Sequence, residues 1–157
     1  MHALKTSFQL FLSSLLFCLF SCAHHNRLYT LRLKPGDDVK IKLEEFVKVH
    51  KLEAVSIVTA VGSLTQYNLR FANQSNTTTK TGHFEIVSFT GLLGVDNCHL
   101  HLSVSDDKGM TVGGHMKEGN IVYTTLEITL IEDHQSKFIR VDDTDGSGYK
   151  ELKVLKR

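Results

Sequence analysis

From Cys98 to Ser105 the chain alternates strictly. Cys98, Leu100, Leu102 and Val104 fall on one parity, and His99, His101, Ser103 and Ser105 on the other, which is the period of a half-buried strand. Alternation also marks Tyr67 to Phe71, Gly82 to Leu93, where Phe84, Ile86 and Ser88 face one way, and Ile121 to Ile131. Leu28 to Leu33 and Phe138 to Val141 read as further strands, and the continuous apolar run Ala54 to Val61 predicts a central strand covered on both sides and ended by Gly62-Ser63. One segment follows a different period. After Lys34-Pro35-Gly36, with Asp37 or Asp38 as cap, Val39, Leu43, Phe46, Val47 and His50 recur on one face opposite charged residues, predicting a helix over roughly residues 38 to 51. Asn73 to Thr81 reads as an exposed loop, Asp106 to Gly109 and Gly119-Asn120 as turns, and Asp142 onward as a polar turn with a short tail. The result is an α+β domain, a single helix packed on a mostly antiparallel sheet of about six or seven strands.

The strand parity puts two imidazoles on one face, since side chains at i and i+2 point the same way. Neutral imidazole is the commonest protein ligand for zinc and similar divalent ions. The hairpin turn at residues 106–109 returns Met110 to Val112 beside the first strand, Gly113-Gly114 lets the backbone approach closely, and His115 is delivered to the same face. His99, His101 and His115 are therefore the expected metal ligands, for a divalent ion of the zinc type. Three neutral ligands leave a fourth position for water, so two readings stand: a binding module without turnover, and a metal-dependent hydrolase or lyase. In the second, Glu127 is the candidate general base, its alternatives being a partner that orients a ligand histidine or an ordinary edge or interface carboxylate. Cys98, on the apolar parity, reads as a small buried hydrophobe rather than a reactive thiol. His50 reads as a cation favoured by the helix end.

The 157 residues suit one domain. Lys5 precedes an apolar run from Phe8 to Phe20 that ends in Ser21-Cys22-Ala23, the pattern of a signal peptide over residues 1–22. The run is short for a permanent membrane span. Export to a secreted or periplasmic location follows, with two fates for Cys22: removal by cleavage, or lipidation that anchors the protein at a membrane. Either way Cys98 is left as a lone cysteine without a disulfide. The formal charge is +1 and Lys5 is the only charged residue ahead of Cys22, so the mature part comes to +1 − 1 = 0. That balance disfavours a sequence-independent grip on DNA. Nucleotide-fuelled chemistry and serine hydrolysis lack their glycine-rich and Gly-x-Ser-x-Gly motifs. The Asp-Asp-x-Asp-Gly at 142–146 fails as a calcium loop, because with Gly146 sixth the first and twelfth places fall on Val141 and Leu152.

Taken in order, Leu31-Arg32-Leu33-Lys34-Pro35-Gly36-Asp37-Asp38, Val61-Gly62-Ser63, Gly82-His83-Phe84-Glu85-Ile86-Val87-Ser88-Phe89-Thr90-Gly91, His99-Leu100-His101, Gly113-Gly114-His115, Thr125-Leu126-Glu127 and Gly148-Tyr149-Lys150-Glu151-Leu152 resemble the PPC domain, conserved in plants and prokaryotes. The resemblance places that domain at residues 28–153. It implies a homotrimer, a mixed or antiparallel sheet and, as in prokaryotic members, a divalent metal on His99, His101 and His115, and leaves room for a small-molecule ligand. The small prokaryotic members carry a DNA-binding label. The Arg-Gly-Arg-Pro hook with which plant members hold DNA is absent here, and His83 stands where an arginine is frequent.

Overall fold

The computed structural model describes residues 26–142, 144, 146 and 148–157; the expected signal peptide, Cys18 and Cys22 lie outside them. In chain order the elements are β1 (Arg27–Leu33), α1 (Val39–His50), β2 (Val55–Arg70), β3 (Thr78–Gly94), β4 (Asn97–Ser105), β5 (Thr111–Met116), β6 (Ile121–Glu132), β7 (Ser136–Asp142) and β8 (Lys150–Lys156). Six strands pair antiparallel in the order β1-β6-β2-β3-β4-β5, and β5 returns to pair with the far end of β2. Strands β2 to β5 thereby close on themselves. The strand expected at Phe138 to Val141 is β7, and β8 takes the place of the expected polar tail, forming with it a separate hairpin that brings the strand total to eight among the described residues.

Helix α1 starts where Asp38 stands in extended conformation and accepts from the Ile41 amide at 3.2 Å, satisfying one of the helix's orphan donors. The other oxygen of the same carboxylate accepts from the Gly119 amide at 2.5 Å, so the cap also pins the turn before β6. The helix ends at Lys51, left-handed at φ 54°, whose amide closes onto Lys48. Val39, Leu43 and Val47 are buried and share one core with Leu33, Leu64, Leu69, Leu100, Leu126 and Leu130. Burying a side chain of this kind is worth roughly 1.5–3 kcal/mol, which is what holds the single helix to the sheet. His50 packs its ring on Phe46, centroids 4.3 Å apart.

The two strands expected on either side of Gly62-Ser63 are one strand of 16 residues. A Cβ at Gly62 would stand 2.2 Å from the carbonyl oxygen of Thr125. Glycine there permits close contact between β2 and β6; it does not end the strand. A register shift between Ile86 and Ser88 reverses the parity of β3, so Phe89 rather than Ser88 turns inward with Phe84. The Asn-rich loop is shorter than expected, because β3 begins at Thr78. Coverage of the apolar run is one-sided: Val55 is buried, but Val58 and Val61 are 54% and 66% exposed. Around them the β1-β6-β2 face carries Leu28 paired with Ile131, Thr30 paired with Thr129, and Tyr123, whose ring lies 4.3 Å from that of His83.

Candidate metal centre

The hairpin between β4 and β5 is built on Asp106, whose carboxylate accepts from the amides of Lys108 (3.0 Å) and Met110 (2.9 Å). These bonds fix the turn and hence the register. His101 stands directly opposite His115 on β5, and His115 in turn directly opposite Arg70 on β2. Residues directly opposite across antiparallel strands share a face with Cβ atoms about 5 Å apart, so His101, His115 and Arg70 form one row over three strands. His99 adds its ring from two residues along β4. Gly114 makes the closure feasible: a Cβ there would stand 2.8 Å from the Arg70 carbonyl oxygen.

The ring centroids of His99, His101 and His115 lie 4.9 to 5.6 Å apart, and one nitrogen from each falls within 4.8 Å of the other two. Nε2 of His99 and Nε2 of His101 are 3.2 Å apart. Zinc–nitrogen bonds of about 2.0–2.1 Å in a tetrahedron require ligand nitrogens about 3.3 Å apart. One pair is already at that spacing and the third ring needs a small turn. Nδ1 of His115 is buried without a hydrogen-bond partner, a condition that costs about 1–3 kcal/mol for a buried polar atom and that a metal or a water would relieve. The residues therefore fit a divalent ion.

Their protonation agrees with this. His115 has its pKa pushed down to about 4, first by burial and then by His99, Lys117 and Arg70; His99 is also lowered, by burial, then Arg140 and His101. Both rings are held in the neutral form that a metal accepts. In the unfolded chain these histidines bind protons below about pH 6.5, whereas folded His115 resists them down to about pH 4. The metal-free protein is thus expected to keep its full stability above about pH 6.5 and to lose part of it as pH falls towards about 4. Urea midpoints of the metal-free protein at pH 7.5 and 5 check this: the drop should be smaller in His115→Leu, and an identical drop in the two proteins would contradict it.

Glu127 is not part of this site. It is exposed on β6, opposite Arg32 of β1 and Val61 of β2. Val61 lies nine positions along β2 from Arg70, roughly 30 Å at the rise of a strand, so within one chain the carboxylate cannot act as base at the histidines. It sits instead on the open outer face of the sheet. Cys98 is half-buried, donates to Glu44 at 3.1 Å, and has its thiol pKa pushed up to about 12 by burial and that carboxylate; it is not a nucleophile.

The histidines open into a cleft of about 1210 Å³ whose walls include Arg70, Lys117, Arg140, Tyr149 and Glu151. Tyr149 and Glu151 stand in one of the stretches that carry the family resemblance, whereas Arg70, Lys117 and Arg140 did not stand out in the sequence. Arg70 ends a strand whose pairing with β5 spans 45 positions, and Arg140 lies in an expected strand that reaches the cleft paired with the unexpected β8, so no local pattern marked either one. A second missed residue is Asn120, fully buried, whose side chain accepts from the Asn68 amide and donates to the carbonyls of Asn68 and Lys117. It fastens the turn after β5 to β2, next to the site.

The bifunctional protein GlmU of Synechococcus sp. (strain JA-3-3Ab) is 42% identical over 130 residues, 83% of this chain and 21% of that protein; the chain thus spans about a fifth of its curated relative. A solved hypothetical protein of Salmonella enterica is 44% identical, with a TM-score of 0.83 over 86% of this chain and 97% of its own. A metal-containing protein of Archaeoglobus fulgidus, 24% identical, shares the fold with a TM-score of 0.70 over 81% of this chain and 93% of its own. The model of the Plants and Prokaryotes Conserved (PCC) domain matches residues 20–133, covering everything from β1 to β6, and the chain belongs to that family.

Proposed function

We propose that this protein is an exported metal-binding module in which His99, His101 and His115 hold one divalent ion of the zinc type, and that it works as a homotrimer. The observation that carries the metal reading is the meeting of three ring nitrogens within 4.8 Å, one ring having a buried, unpartnered nitrogen. The relative described as metal-containing has the same fold. Support for assembly comes from the open face of β1, β6 and β2, where Leu28, Val58, Val61 and Tyr123 are 41% to 66% exposed, Val58 and Val61 belonging to the run whose sequence reads as covered on both sides; exposed apolar patches of this kind mark interaction sites. Support for export is the apolar run behind Lys5. A turnover role for Glu127 has no such support.

The test uses the mature protein. Elemental analysis should find about one divalent ion per chain, light scattering a mass of about three chains, and the joint change of His99, His101 and His115 to alanine should remove the ion while leaving the mass. A wild-type protein that neither retains zinc nor melts higher with it would refute the metal reading.

A further inference from the structure

A cation site is ordinarily surrounded by negative charge; here, among the described residues, the four carboxylates that line the cleft face six lysines and arginines. Arg70 shares a row with His115 and His101, Lys117 follows His115 by two residues, and Arg140 faces the cleft from β7. Of the lining carboxylates, Glu44 is paired with Lys40 and Glu53 with Lys137. The ion pairs among the described residues engage Lys40, Lys137 and Lys150 at the edges of the cleft and leave Arg70, Lys117 and Arg140 out. A dication on three neutral imidazoles beside these groups would carry an uncompensated positive field. Something negative has to complete the site.

Resting on the metal reading above, we propose that the cleft takes a small molecule bearing an oxyanion, a carboxylate or a phosphate, whose charged end fills the coordination position left by the histidines while Arg70 grips it from the side. Arg70 is prepared for that role. Its guanidinium donates to the Gln74 carbonyl at 3.3 Å and lies 5.9 Å from the centre of the Tyr149 ring, so it is held in place before a ligand arrives, and its planar fork matches either oxyanion. Arg140 lines the cleft from the β7-β8 hairpin, which lies beyond the residues matched by the family model. The volume of the cleft, about 1210 Å³, leaves room for a body of drug-like size behind the charged group.

Cobalt(II) reports on both levels, because it accepts the same ligands and its visible spectrum responds to the fourth one. The mature protein is loaded with cobalt and titrated separately with acetate and inorganic phosphate. At least one anion should shift the visible bands with a saturable half-point, and the stronger of the two identifies the oxyanion. Arg70→Gln should load cobalt as the wild type does and raise that half-point about tenfold or more; Arg140→Gln, on the hairpin, should raise it less and covers the event that Arg70→Gln does not fold. Cobalt bands that appear and are unmoved by either anion at about 50 mM, or half-points unchanged in both variants, would overturn the proposal and leave the metal site standing. Absence of cobalt bands would remove the metal reading itself, and the proposal with it.

Discussion

Replacing His115 by leucine is expected to separate the two roles of that position. Zinc affinity should fall by at least about 100-fold, more than the roughly 10–100-fold that follows loss of a group merely orienting a ligand. The metal-free protein should hold its stability or gain slightly, because leucine keeps the bulk while removing a buried ring nitrogen that has no partner, a liability of about 1–3 kcal/mol. In the wild type, zinc at about 100 times its dissociation constant adds about 2.7 kcal/mol, equivalent to a rise in Tm of about 10 °C for a domain of this size. Melting curves with and without zinc give all four values. A variant that loses as much Tm without zinc as with it would mean that the ring serves packing and not a metal.

The largest purely structural effect is expected at Asn120. Alanine there leaves the Asn68 amide and the Lys117 carbonyl without their side-chain partner in a fully buried position; the Asn68 carbonyl keeps its bond from the Lys117 amide. Two abandoned backbone groups at about 1–3 kcal/mol each give a loss of about 3 kcal/mol, a large share of the roughly 5–15 kcal/mol that holds a domain together. Asn120→Asp should also be destabilised at neutral pH, since a carboxylate cannot donate to the Lys117 carbonyl, and should recover partly in acid, where a protonated carboxyl can. Urea unfolding of both variants checks this. A loss below about 0.5 kcal/mol for alanine would show that the turn after β5 is held by other means. Because this turn follows His115 by only a few residues, zinc affinity in Asn120→Ala is expected to fall as well.

Much of the site was legible before any coordinates. His99 and His101 share a face because strand geometry alternates, and Asp106 with Gly109 marked the turn that returns His115. These are local relations, decided within eighteen residues. The helix was equally legible, since the Asp38 cap and the 3.6 period are properties of short segments. What failed did so for long-range reasons. Gly62 looked like a terminator because glycine weakens a strand in isolation; here the close approach of Thr125, 63 positions away, is what requires it. Ser88 looked inward until the bulge beside it moved Phe89 into the core.

The sequence alone determined which side chains alternate, where the helix starts and stops, and that three imidazoles are presented by one hairpin, because each depends on backbone stereochemistry over a few residues. Only the tertiary structure decided that β5 closes onto β2 and so places Arg70 beside His115, that Glu127 lies on the far outer face, and that β7 and β8 bring Arg140 and Tyr149 to the cleft. Those relations depend on which strands pair across tens of residues, and pairing is settled by burial of the shared core, a quantity no local pattern contains.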